Sequence, residues 1–449
     1  MRRAVLLTTL LALAAPAAAS AATTNVVSGA GFGHGIGMSQ YGAYGYALKG
    51  VGYVPILKHY YRGTELGRAP SRPVRVLLQA SDPYVRFSGA TRIGARRLRP
   101  ERTYVVRPGG GARLSVSGAG AVEGPVRVSG RGSMRLLGPA LNGVSSGRYR
   151  GSFILRPGAG GGVTAINSLP IDPYVQGVVP GEMPSSWHFD ALRAQSVTAR
   201  TYALATRKTG EVFDLYPDTR SQVYRGVAGE TARTNRAVAD TRREVLTYGG
   251  KPIVSYYFST SGGRTENVEL SFLGSTAQPY LESVPDPHDD ISPRHRWRLR
   301  FSNAELGARL GAPGAFRKLR VLQRGRSPRI VRARVYGTRG TRVLTGAQIR
   351  ARLGLYDSWA FFTQVSTSQV ERGRRASAAR SPFPEIAGSV APAPRSSRVL
   401  VERRGPAGRW ARVGEIRTSP RGRYHSTVGV EGVYRVRAGA VVGPSVRVG

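Results

Sequence analysis

The chain has 449 residues, with 67 Lys and Arg against 26 Asp and Glu, a formal charge of +41 and no cysteine. That length suits two or three domains, and so basic a chain is drawn to polyanions in general: nucleic acid, anionic lipid or phosphate-bearing envelope polymers. The missing thiols exclude disulfides, thiolate metal sites and thiol catalysis.

Residues 1–22, MRRAVLLTTLLALAAPAAASAA, read as a secretory signal peptide. Arg2 and Arg3 form the basic end, residues 4–15 an apolar core too short to span a bilayer, and Ala17 to Ala22 a small-residue cleavage region. No later segment approaches 18 consecutive apolar residues, so no transmembrane helix is expected. The expected address is secreted or cell envelope, outside the cytoplasmic membrane. That address favours an envelope polymer over DNA, and no specific nucleic-acid partner is expected.

Next comes GFGHGIGMSQYGAYG at 31–45, where glycines interleave with Phe32, His34, Ile36, Met38, Ser39, Gln40 and Tyr41. Two readings stand, a flexible leader or one wall of a binding site, where glycine lets the backbone approach a polymer closely. It is not a phosphate loop: GxGxxG cannot be threaded through it and no Gly-Lys-Ser/Thr follows. YVPILKHYYRG after it has a helix-and-strand pattern.

From Val74 to Val163, runs such as VRVLL, TYVV and SFIL alternate with Gly-rich turns, which predicts small antiparallel sheets and a β-rich subdomain over 74–165. Residues 172–210 change period. Asp172-Pro173 reads as a helix start, and Phe189, Leu192, Ser196, Ala199 and Ala203 recur on one small-residue helical face. PIVSYYF reads as a strand entering a turn at STSGG. Capping boxes at Ser302 to Glu305 and Thr345 to Gln348 predict two helices flanking the strand-like RIVRARVYG. Residues 373–397 read as a linker and 398–449 as a small all-β, sandwich-like module. The predicted class is α+β: a mixed core over 28–372 carrying an antiparallel β-rich insertion, then the module.

The chemistry concentrates in LPIDPYVQGVVPGEMPSSWHFDALRAQSVTARTYAL, residues 169–204. Glu182 sits between Pro180 and Pro184, among Val178, Val179, Met183 and Trp187. A partly desolvated carboxyl has a raised pKa. An unperturbed Glu is roughly 0.2% protonated at pH 7, and one raised to about 6 is roughly 10% protonated, enough for a general acid. The competing reading is a surface Glu in a turn.

This segment resembles the signature of the stage II sporulation protein D family, which includes the amidase enhancer LytB. The matching residues are Leu169-Pro170, Asp172, Tyr174, Gly177-Val178-Val179, Glu182-Met183-Pro184 and Ala191 to Ala203. DTRSQVYRG at 218–226, YYFSTSGGRTEN at 256–267, PYLESVPDP at 279–287 and LTGAQIRARLGL at 344–355 continue the likeness. The opening GHGIGMSQYGA completes it. The family usually carries that block after the LGL segment, so here the order looks permuted. The permuted order leads us to expect residues 28–66 beside 344–365, with His34 and Ser39 facing the cleft that holds Glu182.

Enzymatic family members are similar to lytic transglycosylases acting on peptidoglycan stripped of its stem peptides. The resemblance implies that Glu182 protonates the oxygen leaving between N-acetylmuramic acid and N-acetylglucosamine. As carboxylate, it would then help the muramoyl 6-hydroxyl close a 1,6-anhydro ring. The nucleophile belongs to the substrate, so no second carboxylate is required, unlike ordinary glycosidases. Asp172 is a possible partner, though helix capping explains it better. His34, Ser39 and Gln40 are candidate groove residues, as are Ser259, Ser261 and Gly262 of STSGG, which otherwise make a tight turn. Gln222 and Tyr224 offer hydrogen bonding and a ring for sugar stacking, or else core packing. Some members have a zinc site of one His and two Cys. Tyr216 and Ser221 stand where the thiols would align, so no metal and no cofactor is expected. The other histidines, His59, His188, His288, His295 and His425, show no ligand spacing. The expected partners are glycan strands, anionic envelope polymers by charge and, in the alternative reading as a non-catalytic wall-binding amidase enhancer, a cell-wall amidase.

Overall fold

A computed structural model describes residues 22–370, 383–392 and 396–448; the segment read as a signal peptide lies outside them apart from Ala22. The order of elements begins with β1 (Ala22–Ala30), β2 (Met38–Ser39), α1 (Gln40–Leu48) and α2 (Tyr53–Tyr60). The run from Val74 to Leu169 then builds two six-stranded antiparallel sheets, as the short runs and Gly-rich turns predict. After it come α3 (Ile171–Glu182) and α4 (Phe189–Thr206), broken apart at Pro184, whose ring disfavours a helical residue before it. Leu192, Ser196, Ala199 and Ala203 are all buried on α4, as their spacing predicts. Both capping boxes form, opening the helices Asn303–Leu310 and Gly346–Leu353. Helices and antiparallel sheets occupy separate stretches of chain, an α+β arrangement. No helix among the described residues is long and apolar enough to cross a membrane.

The N-terminal strand is central rather than peripheral. β1 lies between the strands Arg296–Phe301 and Ala360–Gln369 in a five-stranded sheet, with Val27 opposite Leu299 on one side and Phe362 on the other. Successive side chains of a strand point to opposite faces. Val27 accordingly packs with Trp297, Leu306 and Ile349, while Val26 packs with Val365, Val399 and Val436 of the C-terminal sheet. Of the stretch 28–66 expected beside 344–365, only its start lies there: Ser28 and Gly29 pair with Phe361 and Ala360, and the Gly33 amide reaches the Tyr356 carbonyl at 3.1 Å, whereas α1 and α2 pack on α4.

Three expectations need correction. Within the stretch read as a linker, Glu385–Ala391 is a strand pairing with both Ala360–Gln369 and Arg423–Thr427. Its Pro- and Ser-rich flanks hide the buried Ile386 and Val390, which seal the sandwich. The C-terminal strands consequently close over β1 rather than forming a separate module. PIVSYYF is strand only at its two ends: Pro252 closes the short strand Lys251–Pro252, and Tyr257–Phe258 pairs in parallel with β2. Asp172 is not a cap: Pro170 holds that position, and the carboxylate bonds Arg200 Nε at 2.8 Å.

Candidate active site

Glu182 ends α3, one turn before Trp187 docks beneath Tyr41 and Tyr44. Its side chain is half-buried, and Oε1 accepts a hydrogen bond from the Val223 amide at 3.1 Å. The Tyr257 hydroxyl lies against the same carboxylate. Burial pushes the Glu182 pKa above its ordinary value, although the Val223 amide, the Tyr257 hydroxyl and exposed Arg225 each pull it down. Glu182 makes no ion pair among the described residues, so nothing locks it in the charged form.

Two shells of polar contacts hold this arrangement. Gln40 Nε2, at the start of α1, donates to the Glu182 carbonyl at 2.9 Å and to Gln195 Oε1 at 3.3 Å. Gln222 Nε2 donates to the Tyr257 hydroxyl at 3.1 Å, and Gln222 Oε1 accepts from the Tyr174 hydroxyl at 3.2 Å. His34 holds Tyr257 from behind. Its Nδ1 accepts from the Ile36 amide and its Nε2 meets the Tyr257 carbonyl, both at 3.1 Å, which assigns a neutral ring protonated on Nε2. Burial, with help from Arg350 and Arg329, pushes the His34 pKa down to about 3. His34 is thus a fixed donor rather than an acid or base near neutral pH.

The remaining predicted residues divide between site and scaffold. Ser39 is fully buried: its Oγ caps α1 through the Gly42 amide and also accepts from the Ser261 amide at 3.2 Å, so it does not face the cleft. Ser261 and Gly262 are buried as well, both donating to Asp289 Oδ2, and Asp289 Oδ1 in turn holds His295. Tyr224 is 1% exposed and donates to Asn167 Oδ1, which removes it as a stacking surface. Gln222 is equally buried and acts only through Tyr257. Of the STSGG residues considered, Ser259 alone keeps a half-exposed side chain. The glycines also do something other than expected. A Cβ on Gly37, at φ +73°, would lie 2.0 Å from the Tyr256 carbonyl oxygen, and one on Gly42 would lie 2.3 Å from both Asp286 oxygens. They let the block sit against the protein's own core.

The sequence reasoning missed the partners of Glu182. Half-buried Tyr202 makes ring contacts with Tyr256 at 5.8 Å and with Tyr257 at 6.2 Å, and the Glu182 charge acts on Tyr202 and Tyr257, which form an aromatic flank for the carboxylate. The doublet in YYF was the available signal, but in a strand it reads as core packing. Where zinc-bearing relatives would place thiols, the Tyr216 amide bonds Ser221 Oγ at 3.1 Å and Arg220 stacks on the Tyr216 ring at 3.9 Å. That donor set does not fit zinc, and no three His, Asp or Glu side chains cluster as ligands among the described residues.

Residues 159–248, which hold Glu182, α4 and Gln222, match the family described as Stage II sporulation protein. The chain is 34% identical over 214 residues to stage II sporulation protein D of Bacillus subtilis, covering 42% of this chain and 60% of that one. It is 33% identical to the Bacillus amyloliquefaciens protein of the same name, covering 42% and 59%. It is 41% identical over 133 residues to the amidase enhancer of Bacillus subtilis, covering 29% of this chain and 17% of that one. The match thus spans about 60% of the length of the two sporulation proteins. No solved structure matches significantly.

Proposed function

From a chain that carries a domain of the stage II sporulation protein D and amidase-enhancer family, we propose a secreted cell-wall lytic transglycosylase with Glu182 as its acid–base group. The observation that carries this reading is a half-buried, unpaired Glu182 with a raised pKa, open to a flank of tyrosines. Protonated, Glu182 delivers its proton to the glycosidic oxygen between N-acetylmuramic acid and N-acetylglucosamine. The oxocarbenium-like sugar that forms is then attacked at C1 by its own 6-hydroxyl. The Glu182 carboxylate takes the hydroxyl proton, which restores the acid and leaves a 1,6-anhydro end. The tyrosine flank supports the reading by offering ring faces and hydroxyls to the sugar rings of a glycan chain. Its test is incubation with peptide-free glycan strands and mass spectrometry of the products. Anhydromuramoyl ends are expected from the wild type. Glu182→Gln should lower their formation by about 10²–10⁴-fold, the usual contribution of general acid–base catalysis.

A second reading has its own support in the 41% identity to an amidase enhancer. There the same site binds glycan without cleaving it and raises the activity of a cell-wall amidase. Absence of anhydromuramoyl ends, together with stimulation of an added amidase that survives Glu182→Gln, would favour it.

A further inference from the structure

His34 also lines a cavity of about 330 Å³. Apolar Leu270, Phe272 and Ile330 line it, together with Ser358 and the guanidinium groups of Arg329 and Arg350. The two arginines are in different states. Arg329 is saturated: it grips Asp357 through Nε and a terminal nitrogen at 2.9 and 2.8 Å, and it also reaches the carbonyls of Arg264 and Ser261. Asp357 has its remaining capacity drawn by the Trp359 amide. The half-buried Arg350 side chain makes no hydrogen bond, ion pair or ring contact among the described residues.

An unpaired guanidinium withdrawn from water is costly unless an anion comes to it. Many of the chain's arginines are unpaired, but most are solvated. Burial lowers the pKa of three: Arg200, Arg324 and Arg350. Arg200 is held by Asp172, and Arg324 bonds the Ala360 carbonyl and stacks on Phe361. Arg324 and Arg350 both line cavities, but Arg350 alone of the three lacks a hydrogen-bond partner among the described residues, and Asp357 reaches it only through its charge.

We propose that this cavity is a carboxylate subsite, with Arg350 as its specificity-determining residue and the lactyl group of muramic acid as its ligand. The inference rests on the glycan-strand reading above. The lactyl substituent joins a methyl to a carboxylate, matching an apolar wall beside one free guanidinium. It carries its negative charge only where no peptide is attached, since an amide-linked stem leaves no carboxylate there. The subsite also communicates with the carboxyl of Glu182 through a short path: His34 lines the cavity and holds the Tyr257 carbonyl, while the Tyr257 hydroxyl meets Glu182.

The test is equilibrium binding of N-acetylmuramic acid, its methyl ester and N-acetylglucosamine to the described protein, with folding of each variant checked by thermal melting. Wild type should prefer N-acetylmuramic acid over both neutral sugars by roughly tenfold, the scale of one charge-assisted hydrogen-bond pair. Arg350→Gln should erase that preference and Arg350→Lys should restore part of it. Equal binding of acid and ester, a preference that persists in Arg350→Gln, or no saturable binding of the acid overturns the proposal. Cleavage is scored separately. A protein that cuts no glycan yet binds the acid through Arg350 keeps the subsite and loses the lytic reading. One that cuts glycan with no contribution from Arg350 keeps the lytic reading and loses the subsite.

Discussion

Glu182 is legible in the sequence because the chain isolates it: a single carboxyl among apolar residues, fenced by two prolines. Its partner is not. Tyr257 looks like any aromatic in a strand, and only the fold aims its hydroxyl at the carboxylate while Gln222 and His34 hold the two ends of the residue. The Tyr257 hydroxyl stabilises the charged form of Glu182, so Tyr257→Phe should raise the Glu182 pKa and move the alkaline limb of the pH–rate profile upward. A fall of roughly tenfold in kcat should accompany it, as for the loss of one hydrogen bond to a charged group; an unmoved limb would separate the two residues. Asp286 makes a second pH prediction. Tyr60 donates to it at 2.8 Å, and burial with nearby Asp289 pushes its pKa from 3.8 up to about 7. A raised folded-state pKa means stability that is complete below about pH 4 and lost as pH rises through about 7. Each unit is worth about 1.4 kcal/mol, so denaturant titrations should show a decline of a few kcal/mol across this window, flattened in Asp286→Asn.

At the scale of elements, the Gly-rich opening block braces the residues around Glu182 from the core side, which is not the groove wall expected of it. β2 pairs in parallel with Tyr257–Phe258 and so fixes the strand that carries Tyr257, while α1 delivers Gln40 to the backbone of Glu182. Ser39 and the glycines work inward, on the STSGG turn and the Asp286 loop. Sequence spacing shows which residues recur together but not which way they face, because a hydroxyl that caps a helix and one that binds sugar look alike. The helices were more legible, since capping boxes and three-and-four spacing are local signals that tertiary contacts then reinforced. A truncation beginning at Val74 removes β1, β2, α1 and α2 together. It should expose the faces that packed on Val26 and Val27, lose cooperative melting and lose all activity on glycan strands. A stable and fully active truncation would return the block to the status of a leader.

Across the whole molecule, a charge of +41 sits on a surface whose proposed catalytic flank is built from tyrosines and amides. Diffuse charge acts at long range and is screened over about 8–10 Å near physiological ionic strength, whereas stacking and hydrogen bonds are not. Binding to whole anionic walls should therefore weaken steeply as salt rises, while cleavage of short peptide-free oligosaccharides, which carry few charges and are held by close contacts, should change far less. Sedimentation of the protein with walls, run beside a cleavage assay across the same salt series, checks the pair of outcomes. Equal salt dependence in both would place the charge inside the groove.

The position of β1 has a kinetic consequence. Asn25 to Ala30 find their partners near residue 300 and near residue 360, across well over half the length of the described chain. Contacts so distant in sequence are slow to form, since the intervening chain must first be brought together. The strand synthesised earliest therefore waits longest, with Val26 and Val27 unprotected until the two strands that flank it have been made. A chain with that topology gains nothing from folding as it emerges. It suits a protein kept extended until its last third is complete, and refolding from denaturant should show native fluorescence of Trp297, which packs against Val27, only in the slowest phase.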